Sequence, residues 1–169
     1  NNHDLTFTNK QQDWGFDKPV ISSGAVYADL DNDGDLDLVV NNINENAYIY
    51  KNQSREQNNS SYLSVKLKSE KGNTNAVGAK LYVYSEGKVQ YEEINPGRGY
   101  LSAVTGIAHF GLNMVKKLDS LVIVWPDNKK QVMLNVSANQ QLNIGEDESA
   151  KDFSNTAVKS KKIFEYQKP

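Results

Sequence analysis

The chain predicts an all-β fold, and three observations carry that prediction. Leu63, Val65 and Leu67 alternate with Ser64, Lys66 and Lys68, the period-two pattern of a half-buried strand. Further strand-like runs at Ala79–Tyr84, Lys88–Ile94, Leu121–Trp125, Gln131–Leu134 and Gln140–Ile144 are separated by turn chemistry at Ser85-Glu86-Gly87, Asn95-Pro96-Gly97 and Pro126-Asp127-Asn128. Helical periodicity is not sustained anywhere for three turns, and Met114-Val115-Lys116-Lys117-Leu118 suffices for a single turn at most.

Taken in order, residues 1–51 predict two strands, Gly24–Ala28 and Leu38–Asn42, on either side of an acidic loop. Residues 52–61, Asn-Gln-Ser-Arg-Glu-Gln-Asn-Asn-Ser-Ser, hold no apolar side chain and predict a polar linker. Residues 62–144 contain the remaining clear strands and predict a small antiparallel, sandwich-like β domain. Residues 145–169 begin with a second polar stretch and end on Ile163-Phe164-Glu165-Tyr166, which predicts the start of a further strand. Both ends therefore read as cuts through a longer protein.

Composition narrows the function. The 169 residues carry a formal charge of −2, which disfavours nucleic-acid binding by bulk electrostatics. Five of the 21 acidic residues fall between Asp29 and Asp37, and without that −5 the remainder would stand at +3. Cysteine is absent, so thiol catalysis, thiolate metal sites and disulfides are excluded. No apolar run is long enough to span a membrane. Tyrosine dominates the aromatics, 9 against 5 Phe and 2 Trp, a mix that suits half-exposed sheet faces.

The strongest local signal is Asp29-Leu30-Asp31-Asn32-Asp33-Gly34-Asp35-Leu36-Asp37. Ca²⁺ is a hard cation that takes six to eight oxygen ligands, and carboxylates at alternate positions of a curled loop can converge on one point. Gly34 permits the sharp turn that a Cβ would resist. Asp29, Asp31 and Asp33 are expected to supply side-chain oxygens and Asp37 a further carboxylate. Asp35 is expected to offer its backbone carbonyl while its carboxylate faces water. An EF-hand is excluded, because position twelve is Val40 rather than glutamate and the flanks read as strands. A metal-free acidic turn is the alternative, at the cost of strong mutual repulsion. A catalytic carboxylate pair suits this loop poorly, because such pairs need separation and a cleft.

The remaining polar residues give weaker signals. His109, before Phe110-Gly111-Leu112, reads as a packed structural histidine, and His3 carries little weight. Glu92, Arg98 and Tyr100 around Pro96-Gly97 fit either a plain β-turn or a patch for sugar or peptide. Trp125 before Pro126 reads as a strand-end core residue. Lys159, Lys161 and Lys162 read as a solvated run. Gly-x-Ser-x-Gly, His-Glu-x-x-His and phosphate-cradling glycine loops are all absent, so no enzyme activity is expected.

With Gly24-Ala25-Val26-Tyr27-Ala28-Asp29 leading into the loop and Leu36-Asp37-Leu38-Val39-Val40 leading out, residues 1–51 resemble the FG-GAP/VCBS repeat. Leu5-Thr6-Phe7-Thr8 and Trp14-Gly15-Phe16 are similar to the usual lead-in of such a repeat. That resemblance implies one calcium-binding blade of a β-propeller, whose other blades come from the same or an associated protein. Residues 62–144 resemble the ASPIC/UnbV domain through Val77-Gly78-Ala79, Gly99-Tyr100-Leu101-Ser102, His109-Phe110-Gly111-Leu112, Val124-Trp125-Pro126 and Asn139-Gln140-Gln141-Leu142. Together they imply an extracellular or cell-surface module, with a bacterial outer membrane as the expected setting. It would be stabilised by Ca²⁺ and would present a surface to a protein or glycan partner. The alternatives from other classes are a glycan-binding component of an outer-membrane uptake assembly and a calcium-dependent hydrolase.

Overall fold

A computed structural model describes residues 1–2, 4–70, 72–147 and 151–152. The expected strand at 163–166, the lysines at 159–162 and His3 lie outside the described residues.

The fold is all-β, as expected. The first sheet holds β1 (Ser22–Ala28), β2 (Asp37–Asn42) and β3 (Tyr48–Tyr50), antiparallel in the order β1-β2-β3. The acidic loop is the β1–β2 connection, and Ala28 pairs with Asp37 at its neck. The polar segment 52–61 carries a short helix, α1 (Ser54–Asn58), which ends on left-handed Asn59. Sequence periodicity could not reveal α1, because it buries no side chain and has no apolar stripe.

The second part opens with β4 (Tyr62–Lys68), β5 (Lys80–Ser85) and β6 (Lys88–Glu93). Glu86 and Gly87 both take positive φ between β5 and β6, as a tight two-residue hairpin requires. A small hairpin follows, β7 (Gly97–Gly99) and β8 (Ser102–Ala103), and then β9 (Ile107–Gly111). The remaining strands are β10 (Ser120–Val124), β11 (Lys129–Leu134), β12 (Gln140–Gly145) and β13 (Lys151–Asp152). One sheet runs β13-β11-β10-β5-β6, all antiparallel, and the other runs β12-β4-β9. One pair departs from the antiparallel arrangement: β12 runs parallel to β4, with Leu142 opposite Val65. Parallel neighbours need a long crossover, and the intervening chain supplies one by building the opposite sheet.

Both sheets turn one face into a shared core. Leu81 and Val83 of β5 lie opposite Ile123 and Leu121 of β10, and the other sheet contributes Leu63, Val65, Leu67, Ala108, Phe110 and Ile144. Trp125 is 1% exposed and its indole N–H donates to Gln131 Oε1 at 3.1 Å, which satisfies its polar edge inside the core. It is a core residue at a strand end, as the sequence predicts. Among the described residues, buried apolar side chains run from Leu63 to Ile144 and none lies earlier. The first sheet and its acidic loop instead bury Asp35, Asp37 and Asn42, while Leu5, Phe7, Trp14 and Ile21 before the sheet and Ile49 within it are exposed.

The asymmetry predicts where stability resides. Leu121→Ala should cost about 2–5 kcal/mol of unfolding free energy, the range for emptying a core leucine site. Phe7→Ala should stay within about 0.5 kcal/mol, as for an exposed side chain. Chemical denaturation of both variants checks the contrast.

Candidate metal centre

The acidic loop curls back on itself through two left-handed residues, Asn32 (φ 60°) and Gly34 (φ 95°). Asn tolerates this region, but at Gly34 more than φ is at stake. Gly34 is buried beneath the ring of Tyr62, and a Cβ there would fall inside that ring. The loop is thus pressed against the first residue of β4.

Hydrogen bonds within the loop aim its carboxylates. Asp29 Oδ2 accepts the Gly34 N–H at 3.1 Å, Asp31 Oδ1 the Asp33 N–H at 3.4 Å and Asp33 Oδ1 the Asp35 N–H at 3.1 Å. Each carboxylate spends one oxygen on the loop backbone and turns the other toward its neighbours. Asp29, Asp31 and Asp33 place ligand oxygens within 4.8 Å of one another, and so do Asp33, Asp35 and Glu56. These acidic groups could hold a metal ion. The donor set is all carboxylate oxygen, which suits a hard cation and not a thiolate- or imidazole-seeking one.

Three buried oxygens of this loop, Asp29 Oδ1, Asp33 Oδ2 and Asp35 Oδ1, have no hydrogen-bond partner. Asp33 Oδ2 does have an ionic neighbour, Lys51 Nζ at 3.3 Å. That ammonium lies 2.5 Å from Asp31 Oδ2 and 3.5 Å from Glu56 Oε1, so it touches both carboxylate groups. The hydrogen bond to Asp31 in particular holds the lysine far above its ordinary pKa. Asp33 is held below its ordinary pKa, first by the Asp35 N–H. Asp35 is pushed up by burial, with the Asp33 charge adding to the shift.

The five aspartates separate into distinct roles. Asp37 stands outside both groups, with Oδ2 accepting the Leu30 N–H at 3.1 Å and Oδ1 the Asn52 N–H at 2.9 Å. It closes the neck of the loop onto the following segment. The expectation that the Asp35 carboxylate faces water is corrected: Asp35 is 6% exposed, and Oδ2 accepts from the Arg55 N–H at 3.1 Å and Ser54 Oγ at 3.3 Å. Folding of α1 across the loop is what buries it. Glu56 and Lys51 went unrecognised in the sequence. A usable signal existed, since Lys51 and Arg55 are the first basic residues after Lys18.

The loop also joins the two parts of the chain. The Arg55 guanidinium donates to the Asp33 carbonyl and lies 4.9 Å from the centroid of the Tyr62 ring. Tyr62 stacks on His109 at 5.7 Å with 7° between the planes. In the β4–β9 register Ser64 faces His109, and Ser64 Oγ lies 3.0 Å from His109 Nδ1. Both sit on the face of β4–β9 opposite the apolar core, which explains why Ser64 is buried although the alternation marks it as outward. Further along the seam, the Ala25 N–H donates to Ser102 Oγ at 3.1 Å. Of the polar patch that was the alternative to a plain turn around Pro96-Gly97, Arg98 and Glu92 do meet, Nη2 to Oε1 at 3.2 Å, while Tyr100 is 78% exposed.

Residues 69–151 match the family described as ASPIC and UnbV. A stretch of 111 residues, 63% of the chain, is 32% identical to cartilage acidic protein 1 of Xenopus tropicalis. That stretch spans only 16% of the length of this relative. Among the described residues, no helix is long and apolar enough to cross a membrane.

Two outcomes follow from the seam. Gly34→Ala should destabilise the protein by about 2 kcal/mol or more, combining positive-φ strain with overpacking against Tyr62. Adding Tyr62→Ala should restore the steric part, and a double-mutant cycle of thermal melts measures it. Burial pushes the His109 imidazole below its ordinary 6.5, against an opposing pull from the Asp29 charge. The unfolded chain therefore takes up this proton first, and the folded state loses stability as pH falls below about 6.5. Glu92 contributes with the opposite sign, because burial raises its carboxyl above 4.5 and folding then favours its protonation. Melts between pH 7.5 and 5.5 should show a shallower decline for His109→Gln than for the parent chain.

Proposed function

We propose that this chain is a calcium-stabilised binding or structural module of a secreted or surface-exposed protein, with no catalytic role of its own. The observation that carries this reading is the set of buried oxygens on Asp29, Asp33 and Asp35 that accept no hydrogen bond. A buried carboxylate oxygen without a donor costs about 1–3 kcal/mol or more, so the folded loop calls for a cation that Lys51 alone does not supply. Ca²⁺ fits better than Mg²⁺, because it accepts many protein oxygens in irregular geometry whereas Mg²⁺ retains its waters. The bound ion would neutralise the loop and hold it against α1 and Tyr62, and so fix the first sheet on the second part of the chain.

The match of residues 69–151 to the ASPIC and UnbV family and the likeness to cartilage acidic protein 1 favour an extracellular setting. Residues 1–51 act in this reading as one FG-GAP/VCBS-like blade. Their lack of buried apolar side chains and the exposure of Leu5, Phe7, Trp14 and Ile49 favour completion by neighbouring blades.

Titration calorimetry with CaCl₂ on the decalcified chain, alongside thermal melts, tests the reading. One Ca²⁺ per chain and a raised melting temperature are expected, with about 2.7 kcal/mol of stabilisation at a hundredfold excess over Kd. Asp29→Asn and Asp31→Ala should each abolish most of the calcium-dependent rise. Superimposable melts with and without calcium would sink the proposal.

A further inference from the structure

A cleft of about 560 Å³ opens along the seam, apart from the carboxylate groups, with Tyr27 of β1 on one side and Tyr91, Glu92, Asn95, Arg98 and His109 on the other. Its size falls within the usual range for small-molecule sites. Glu92, Arg98 and His109 are held by contacts within the second part of the chain yet retain hydrogen-bonding capacity. Glu92 is anchored twice: Oε1 receives Arg98 Nη2 at 3.2 Å and Oε2 receives the His109 backbone N–H at 2.9 Å. Arg98 commits a single guanidinium N–H to that pair and has the rest of its fork available. The His109 ring is held by Ser64 at Nδ1 and by stacking on Tyr62, while Nε2 has no hydrogen-bond partner among the described residues. The Tyr27 hydroxyl likewise has none.

The charges decide what kind of ligand fits. Glu92 and Arg98 neutralise each other, and exposed Glu93 is engaged by the Tyr91 hydroxyl at 3.0 Å. An incoming anion would meet both glutamates as well as the nearby Asp29, whose charge already acts on His109. An incoming cation would have to displace Arg98 from Glu92. A neutral ligand rich in hydroxyls pays neither penalty. Each hydroxyl donates and accepts at once, so neighbouring hydroxyls can donate to the carboxylate and accept from the guanidinium. The tyrosine rings offer flat apolar faces to the C–H side of a pyranose.

We propose that this seam cleft is a saccharide-binding site, with Glu92 and Arg98 gripping a pair of hydroxyls and Tyr27 and His109 reading a second edge of the sugar. Because Tyr27 comes from the first sheet and the other groups from the second part, the site exists only when the two are docked. It does not depend on calcium being the ion at the acidic loop.

The test uses the full ¹⁵N-labelled chain. Glucose, galactose, mannose, N-acetylglucosamine, maltose, lactose and cellobiose are titrated separately, followed by amide shifts, once in CaCl₂ and once in EDTA. At least one sugar should give saturable shifts clustered at Tyr27, Glu92, Arg98 and His109. Arg98→Ala should weaken that sugar by about tenfold or more, the loss expected with one charge-assisted hydrogen bond. Tyr27→Phe should weaken it by a smaller factor, and the dispersion of each variant's spectrum reports that it is folded. Saturable shifts elsewhere on the surface, or no saturable shift with any of the seven sugars, overturn the proposal. Glucuronate and tyramine are titrated in parallel as charged controls, and a cleft that responds only to one of these also overturns the proposal, since that would mean the charge argument is wrong. Sugar binding in CaCl₂ with no calcium effect on the melts would leave this site standing and remove the calcium reading instead.

Discussion

Carboxylate oxygens withdrawn from water without a donor set the terms for the rest of this molecule. The loop between β1 and β2 curls so tightly that Asp29, Asp33 and Asp35 each bury an oxygen without a hydrogen-bond partner, and of these only Asp33 Oδ2 has Lys51 as an ionic neighbour. Repulsion among these groups opposes the very curl that brings them together. The curl persists through Gly34 beneath Tyr62, through the clasp of Asp37 on Leu30 and Asn52, and through Lys51 lodged between Asp31, Asp33 and Glu56. All of these contacts but the one to Leu30 reach out of the loop, so its electrostatics and its docking on the rest of the chain are one problem.

The two parts solve the problem of burial in opposite ways. From Leu63 onward the chain withdraws leucine, isoleucine and valine side chains into a core shared by two sheets, the ordinary source of stability. Before Leu63 the buried side chains are Asp35, Asp37, Asn42 and Ser61, and among the described residues of that stretch no apolar side chain is fully buried. A three-stranded sheet whose apolar side chains, Leu38, Val39 and Val40 among them, are only half-buried has little hydrophobic stabilisation of its own. Its order rests on ion pairs, on the clasp hydrogen bonds and on contact with β4, β8 and α1. The seam consequently gathers polar groups that a single packed core would exclude, among them Ser64, His109, Glu92 and Arg98.

Where the sequence could be read, it was read through patterns that repeat. Alternation in Leu63–Lys68 and the turn at Ser85-Glu86-Gly87 report backbone geometry directly, because side-chain period and positive φ are local properties. The strands β3, β7, β8 and β13 escaped because they run only two or three residues, too few for a period to show. Helix α1 escaped because it buries nothing. Asp35 was misjudged for a related reason: its burial depends on Ser54 and Arg55, which fold back over it from 19 and 20 residues away.

The sequence by itself determined the all-β class, the position of the β5–β6 turn, the location of the acidic loop and its suitability for a hard cation. All of these follow from interactions between residues close along the chain. The tertiary structure alone decided which oxygens stay unpartnered, that Glu56 and Lys51 join the aspartates, that β12 lies parallel to β4, and that Tyr27 faces Arg98 across a cleft. Those outcomes depend on contacts between distant segments, and a one-dimensional pattern holds no record of which distant segments meet.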